Sequence, residues 1–301
     1  MAREQLGICA EANLHGSYLF FNALDGQQAV LRHKLARLPV MIDRLAEHFS
    51  ESMLSLVVAI GPQYWDKLYP QHRPAEFHAF PSYDNEHLSL ATEPVDLFIQ
   101  LRSDRLDVNY LACQQVQQLL AANTELIEQL SGFHYLDGRD LTGFNINPCS
   151  LRGLARRKSA LLPDTEPFAG GSYVFFSRMH FDLTHWQQLS QTEQEQLMGF
   201  SKVSAKVLAG QAEHSHWQTL LEDAAPPALL QQSMPFGRLK EQGLLSVTFC
   251  AQPNAYLQLL QRRLGLAAVP YDPLLDYYQA DLCTAFFAPS ISFIEQAAQQ
   301  A

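Results

Sequence analysis

The 301-residue chain is short of cysteine pairs, of basic charge and of long apolar runs. Its five cysteines, Cys9, Cys113, Cys149, Cys250 and Cys283, are widely spaced and form no C-x-x-C. That spacing excludes a cysteine-rich zinc site, and reduced, mostly buried thiols are expected. Lys and Arg number 21 against 31 Asp and Glu, a formal net charge of −10, with no run of basic residues. Such a surface repels phosphate backbones, so no nucleic-acid partner is expected. No stretch reaches the roughly 18 apolar residues of a membrane span, and the N-terminal "MAREQLGICAEANLHG" holds no apolar core of signal-peptide length. No membrane association and a cytoplasmic location are expected; an export substrate with its twin-arginine leader removed is the alternative.

The composition suits a folded protein: 47% of residues are apolar and 17% charged. The length allows one large domain or two ordinary ones.

Two segments nearly repeat. "GSYLFF" at 16–21 and "GSYVFF" at 171–176 both read as buried strands after a turn. After the first, Val30, Leu31, Leu35, Leu38, Met41, Ile42 and Leu45 keep a helical spacing, with Pro39 marking a kink. After the second, "SQTE" at 190–193 has the pattern of a capping box. A second echo pairs "LSLVVAIGPQYW" (54–65) with "LSVTFCAQPNAY" (245–256), each an apolar strand, a proline and a helix start. Residues 107–130 and 256–266 read as further helices. Together these predict a duplicated α+β plan, each half an antiparallel sheet with helices packed on it. The join is expected within 138–170, with halves of 1–145 and 146–301.

"AEHSHWQTL" at 212–220 sets His214 and His216 beside Trp217. A histidine pair alone is weak reason to infer a metal. Other segments raise its weight: "RPAEFHAFP" (73–81), "PVDLFIQLRSDRLDVNYLA" (94–112), "GFHYLDGRDLTGF" (132–144), "GGSYVFFSRMHFDLTHW" (170–186), "SHW" (215–217), "QQSMPFG" (231–237) and "FFAPS" (286–290). In that order, from about residue 7 to about 292, the chain resembles the bacterial dye-decolorizing haem peroxidases.

The resemblance implies two ferredoxin-like halves of the dimeric α/β-barrel kind and a haem b in a cavity of the C-terminal half. It implies His216 as the iron ligand, with His214 a bystander. A carboxylate should accept from the other ring nitrogen of that histidine. Asp272 fits best and Asp276 second, although Asp272 before Pro273 also reads as a helix N-cap. Lys202, with Lys206 as second choice, would pair with a haem propionate.

The departures from the family pattern fall on functional positions. The family loop Gly-Phe-x-Asp-Gly-x-x-Asn-Pro is shortened here to "GFNINP", with Asn145 and Asn147 but no carboxylate. The family arginine is replaced by Gln231, an arginine before Lys202 by Phe200, and a phenylalanine by Ser246. Asn145, Asn147 and Gln231 are therefore the expected, unusual residues of the peroxide side, with Asp137 and Asp140 nearby as turn formers or substitutes.

The activity implied is hydrogen-peroxide-dependent oxidation of an aromatic or other small-molecule electron donor, weakened by these losses, in a homo-oligomer of two or more copies. A haem-binding protein for storage, delivery or sensing is the alternative, and a scaffold without haem the third. Trp65, Trp186 and Trp217 are read as core, and "HRPAEF" as a loop fixture with Pro74 opening a helix.

Overall fold

The structure is a computed structural model that describes residues 2–82, 92–146, 151–208, 229–266 and 271–300. In the first half β1 (His15–Ala23) leads to α1 (Gln28–His48), β2 (Ser55–Ile60) and α2 (Pro62–Leu68). Then come β3 (Leu97–Ser103), α3 (Leu106–Leu120) and β4 (Thr124–Phe133). A short helix α4 (Leu154–Ala160) precedes the second half. That half holds β5 (Ser172–Phe181), α5 (Leu183–Trp186), α6 (Gln191–Met198), β6 (Leu230–Gln231) and β7 (Met234–Arg238). It ends with β8 (Glu241–Cys250), α7 (Pro253–Arg263), a 3-10 turn (Pro273–Tyr277), β9 (Tyr278–Ala288) and α8 (Ile291–Gln299).

All nine strands join one sheet in the order β4-β1-β3-β2-β9-β5-β8-β6, with β7 also paired to β8. The order β4-β1-β3-β2 recurs as β9-β5-β8-β6, fourth-first-third-second within each half when the short β6 and β7 are taken together as one strand. The two halves are thus ferredoxin-like, and the pairs between the named strands are antiparallel. The halves meet where β2 pairs β9, at Ile60 and Phe287. The far edges also approach: a Cβ built on Gly132 of β4 would lie 2.7 Å from Met234 Cβ on β7, a contact only glycine permits.

The repeated hexamers are β1 and β5, and their aromatic residues are buried. Alternation along the strands feeds two cores. Tyr18, Phe20, Phe98, Phe176, Val247 and Phe249 fill one between the sheet's curled faces. Leu19, Phe21, Ile99, Phe175 and Phe287 meet the helices on the other. Helix α1 buries Leu31, Leu35, Leu38, Ile42 and Leu45, and runs through Pro39. Val30, expected on that face, is 45% exposed.

Three expectations need correction. Residues 107–130 are not one helix: α3 stops at Leu120, and Thr124–Phe133 is β4, paired along β1. Ile127 and Leu130 belong to that strand, where exposure alternates with period two. The second echo matched elements of different rank, since 54–65 holds the second strand of its half and 245–256 the third strand of the other. Both are apolar strands before a proline-started helix, and that local likeness hid their different places in the sheet. Pro74 opens no helix. The loop is instead fixed by Arg73, which donates to Pro62 O at 3.1 Å, to Asp66 and to Phe77 O.

The "SQTE" box forms as expected: Glu193 N donates to Ser190 Oγ at 3.3 Å, and Ser190 N to Glu193 Oε2 at 2.7 Å. Among the described residues Cys9, Cys113, Cys250 and Cys283 are free thiols, and burial pushes Cys283 up to about 11. Cys149 lies outside the described residues. No described helix is long and apolar enough to cross a membrane.

Candidate functional site

On the second half of the sheet, side chains of period two turn away from the inner core. Leu244, Ser246 and Thr248 of β8, Ser177 and Met179 of β5, and Tyr278 and Ala280 of β9 share that face. Helix α7 covers it with Tyr256, Leu259, Leu260 and Arg263, the 3-10 turn with Leu274 and Leu275, and the end of α6 with Met198, followed by Phe200 just beyond the helix. Between them lies a cavity. The wall is mainly apolar, with a few polar groups converging on it, as binding cavities are.

The polar groups come from distant parts of the chain. Residues 138–146 form a tight hairpin in which Ile146 N donates to Gly138 O at 3.0 Å and Asp140 N to Phe144 O at 2.8 Å. Gly143 sits at φ +89°, a backbone setting that its missing side chain allows. The hairpin presents Asp140, Asn145 and Ile146 to the cavity. β6 contributes Gln231, the following turn Ser233, and β8 Ser246, with Ser233 Oγ 3.4 Å from Ser246 Oγ.

Of the expected site residues, Asn145, Gln231 and Ser246 thus share one wall, as does Phe200. Lys202 is not in that wall: its Nζ donates to Gln194 Oε1 at 2.8 Å and lies 5.2 Å from the centre of the Phe144 ring. Lys206 is exposed. Asp272 is buried, outside the cavity wall, and accepts from Arg263 Nε at 2.8 Å on Oδ2. Its Oδ1 accepts from Leu274 N at 3.0 Å, so it caps the 3-10 turn as the alternative reading held. Asp276 stands within that same turn. His214, His216, Trp217 and Asn147 lie outside the described residues. Trp65 and Trp186 are core, 0% and 2% exposed.

One wall residue, Arg263, had not been singled out, and a second, Asp140, had been read as a turn former or a substitute for the missing carboxylate. Arg263 reaches the cavity from the last turn of α7, and its Nη2 is buried without a hydrogen-bond partner among the described residues. Nothing in "LQRRLG" tells which arginine turns inward. Asp140 is 4% exposed; burial pushes its carboxyl up to about 6, against the lowering effect of hydrogen bonds from Thr142 and the amides of Phe144 and Gly143.

The chain's similarities bear on this cavity. Residues 5–134 match the family described as Dyp-type peroxidase, N-terminal, and residues 137–293 its C-terminal counterpart. The chain belongs to the Dyp-type peroxidase family. It is 27% identical over 287 residues to a dye-decolorizing peroxidase of Mycolicibacterium paratuberculosis, covering 92% of this chain and 81% of that one. A structure from Shewanella oneidensis, described as a candidate dyp-type peroxidase, superposes with a TM-score of 0.94 at 36% identity, covering 98% of this chain and 99% of that one. A variant of DypB from Rhodococcus jostii RHA1 in complex with heme superposes at 0.90 with 27% identity, over 95% and 96% of the two chains.

A haem needs two apolar faces, room for a macrocycle, a cation for its carboxylates and an axial donor. The cavity offers the first and the third: leucine, methionine and aromatic walls, and the Arg263 guanidinium with an unpartnered donor. No imidazole lines it among the described residues, and no cluster of three or more metal-binding side chains is found there.

Proposed function

We propose that this chain is a haem b peroxidase that uses hydrogen peroxide to oxidise small aromatic or other electron donors. The observation that carries the reading is the apolar cavity in which Asn145, Gln231 and Ser246, up to about a hundred residues apart in sequence, come together. Family membership and the heme-bound DypB neighbour support it. In this proposal the halves 1–145 and 146–301 divide the work, the second holding the cofactor.

His216 would hold the iron, and Arg263 would face a carboxylate of the macrocycle. When bound, haem supplies the two oxidising equivalents that peroxide leaves behind. The protein's own part is to exclude water with Met179, Met198, Phe200 and Leu244, and to orient peroxide by hydrogen bonds. Asn145 and Gln231 can donate and accept but carry no charge. Loss of a charge-stabilising donor costs roughly 10²–10³ in rate, so turnover is weakened relative to a site that keeps the arginine.

The test is expression with haem supplied, followed by an absorbance scan. A Soret band in wild type, absent from His216→Ala, with peroxide-dependent dye bleaching, is the expected result. Wild type without a Soret band would overturn the proposal. A haem-binding protein without turnover is the second reading, favoured by the neutral Gln231; a Soret band with no peroxide-dependent oxidation would establish it.

A further inference from the structure

We propose that Asp140 is the proton acceptor of this cavity, taking over the task of the carboxylate that the shortened loop lacks. The inference rests on the haem reading above. It concerns a residue whose Asp-Leu-Thr-Gly context also suits turn formation.

Asp140 and Asn145 stand on the same hairpin, and both face the cavity. Asp140 is the one carboxylate among the described wall residues. Its Oδ1 accepts from Thr142 N at 2.9 Å and from Thr142 Oγ1, which fixes its orientation. No arginine, lysine or histidine among the described residues forms an ion pair with it. A buried carboxylate purely for the turn would be served as well by asparagine, which makes the same bond to the backbone without burying charge. An acid kept without a cation, in an apolar wall, is poised to exchange a proton near neutral pH.

The charged and titratable neighbours do not cancel this. On its own hairpin Arg139 donates to Gly143 O and Lys202 O. Beside the hairpin Lys202 is held by Gln194, and Glu195 of α6 accepts from Lys202 N at 2.8 Å. Across the cavity Arg263 is tied to Asp272, with Asp276 farther along the 3-10 turn. Burial, with the Asp140 charge second, keeps the phenol of Tyr278 on β9 neutral. Thus the group that titrates toward the cavity is Asp140.

The step is a proton transfer alone. A protic ligand H–X enters, its proton passes to the Asp140 carboxylate, and X⁻ remains in the cavity; no oxidant or reductant is consumed. Hydrogen peroxide is such a ligand.

Hydrogen cyanide is the probe, because it must also lose its proton to bind and is not turned over. Its association rate with the haem-loaded protein, followed at the Soret band by stopped flow, is measured across pH 4–8. Wild type should lose rate as pH falls through about 6, where Asp140 becomes protonated. Asp140→Asn should keep the Soret band, bind cyanide at least tenfold more slowly at pH 7, and lose the inflection. Thr142→Val removes a hydrogen bond that lowers the Asp140 pKa, so its inflection should move upward. A wild-type profile flat across pH 5–7 overturns the proposal, whether or not Asp140→Asn folds. So does an Asp140→Asn rate and profile equal to wild type, while the intact Soret band leaves the haem reading standing. Wild type with no Soret band overturns both.

Discussion

Arg263 Nε donates to Asp272 Oδ2 at 2.8 Å in an ion pair whose carboxylate side chain is fully buried. The pair links the last turn of α7 to the turn that opens β9, and so fixes two sides of the cavity.

Removing one partner should cost far more than removing both. Asp272→Asn retains the cap on Leu274 but strands a guanidinium that is only 16% exposed. A loss of about 3–5 kcal/mol is expected, read as a lower urea midpoint. The double variant Arg263→Met with Asp272→Asn should recover most of it. Equal loss in the single and double variants would contradict the assignment.

The Asp140 carboxyl predicts a stability profile without reference to haem. Its folded pKa, about 6, lies above the ordinary value of 3.8 because of burial. A raised pKa means the folded state holds the proton more tightly. The contribution is therefore fully present below about pH 3.8 and fades as pH rises through about 6. Apo-protein should gain less from that window once Asp140→Asn removes the titration, and the variant should be the more stable of the two at pH 7. The difference is on the order of 3 kcal/mol at most. Denaturation at pH 4, 5, 6 and 7 checks the sign, and parallel curves would refute it.

Gln231 lines the cavity where a cation would steady developing negative charge. Gln231→Arg should raise kcat/KM for peroxide about tenfold to a hundredfold, within the range such donors supply. Steady-state dye oxidation measures it. A variant that binds haem normally and gains nothing would show that charge stabilisation is not what limits the rate.

Trp65 belongs to packing. Its ring lies against Tyr69, Phe77, Phe168, Phe287 and Phe293, and its indole N–H donates to His72 O at 2.7 Å. Trp65→Ala should cost about 3–5 kcal/mol, seen as a large fall in Tm. A stable variant with altered dye kinetics alone would point instead to electron transfer through this ring.

The cap at α6 offers a local check. Ser190→Ala removes the acceptor for Glu193 N and should cost about 1 kcal/mol. Glu193→Gln should cost less, since an amide oxygen can still reach Ser190 N.

Several of these features were legible before any coordinates. Capping boxes and amphipathic helices are written in neighbouring residues, so Ser190–Glu193 and the Leu31–Leu45 face were readable. The two hexamers found β1 and β5 because buried central strands tolerate few alternatives. Strand order is a nonlocal property, however, and the echo between 54–65 and 245–256 mistook similar neighbours for equivalent places. The stretch 107–130 failed for a related reason: β4 gains its stability from β1, not from its own residues. At the site, Asn145, Gln231 and Ser246 were reached through motifs, and the cavity gathers them. Arg263 carries no motif of its own, and Asp140, inside "GFHYLDGRDLTGF", reads first as a turn former; the direction in which their side chains point gives both a place in the wall.

The seam between the repeats is narrow in hydrogen bonds, with Ile60 opposite Phe287 as its registered pair. Behind it the helix-side aromatic cluster passes without a break from Leu19 and Trp65 to Tyr173 and Phe287. Peeling either repeat away would strip oily surface from its sibling and gain little backbone freedom in return. The two copies have become a single cooperative unit in which damage to one should melt the other, and neither should be recoverable as a free-standing fragment.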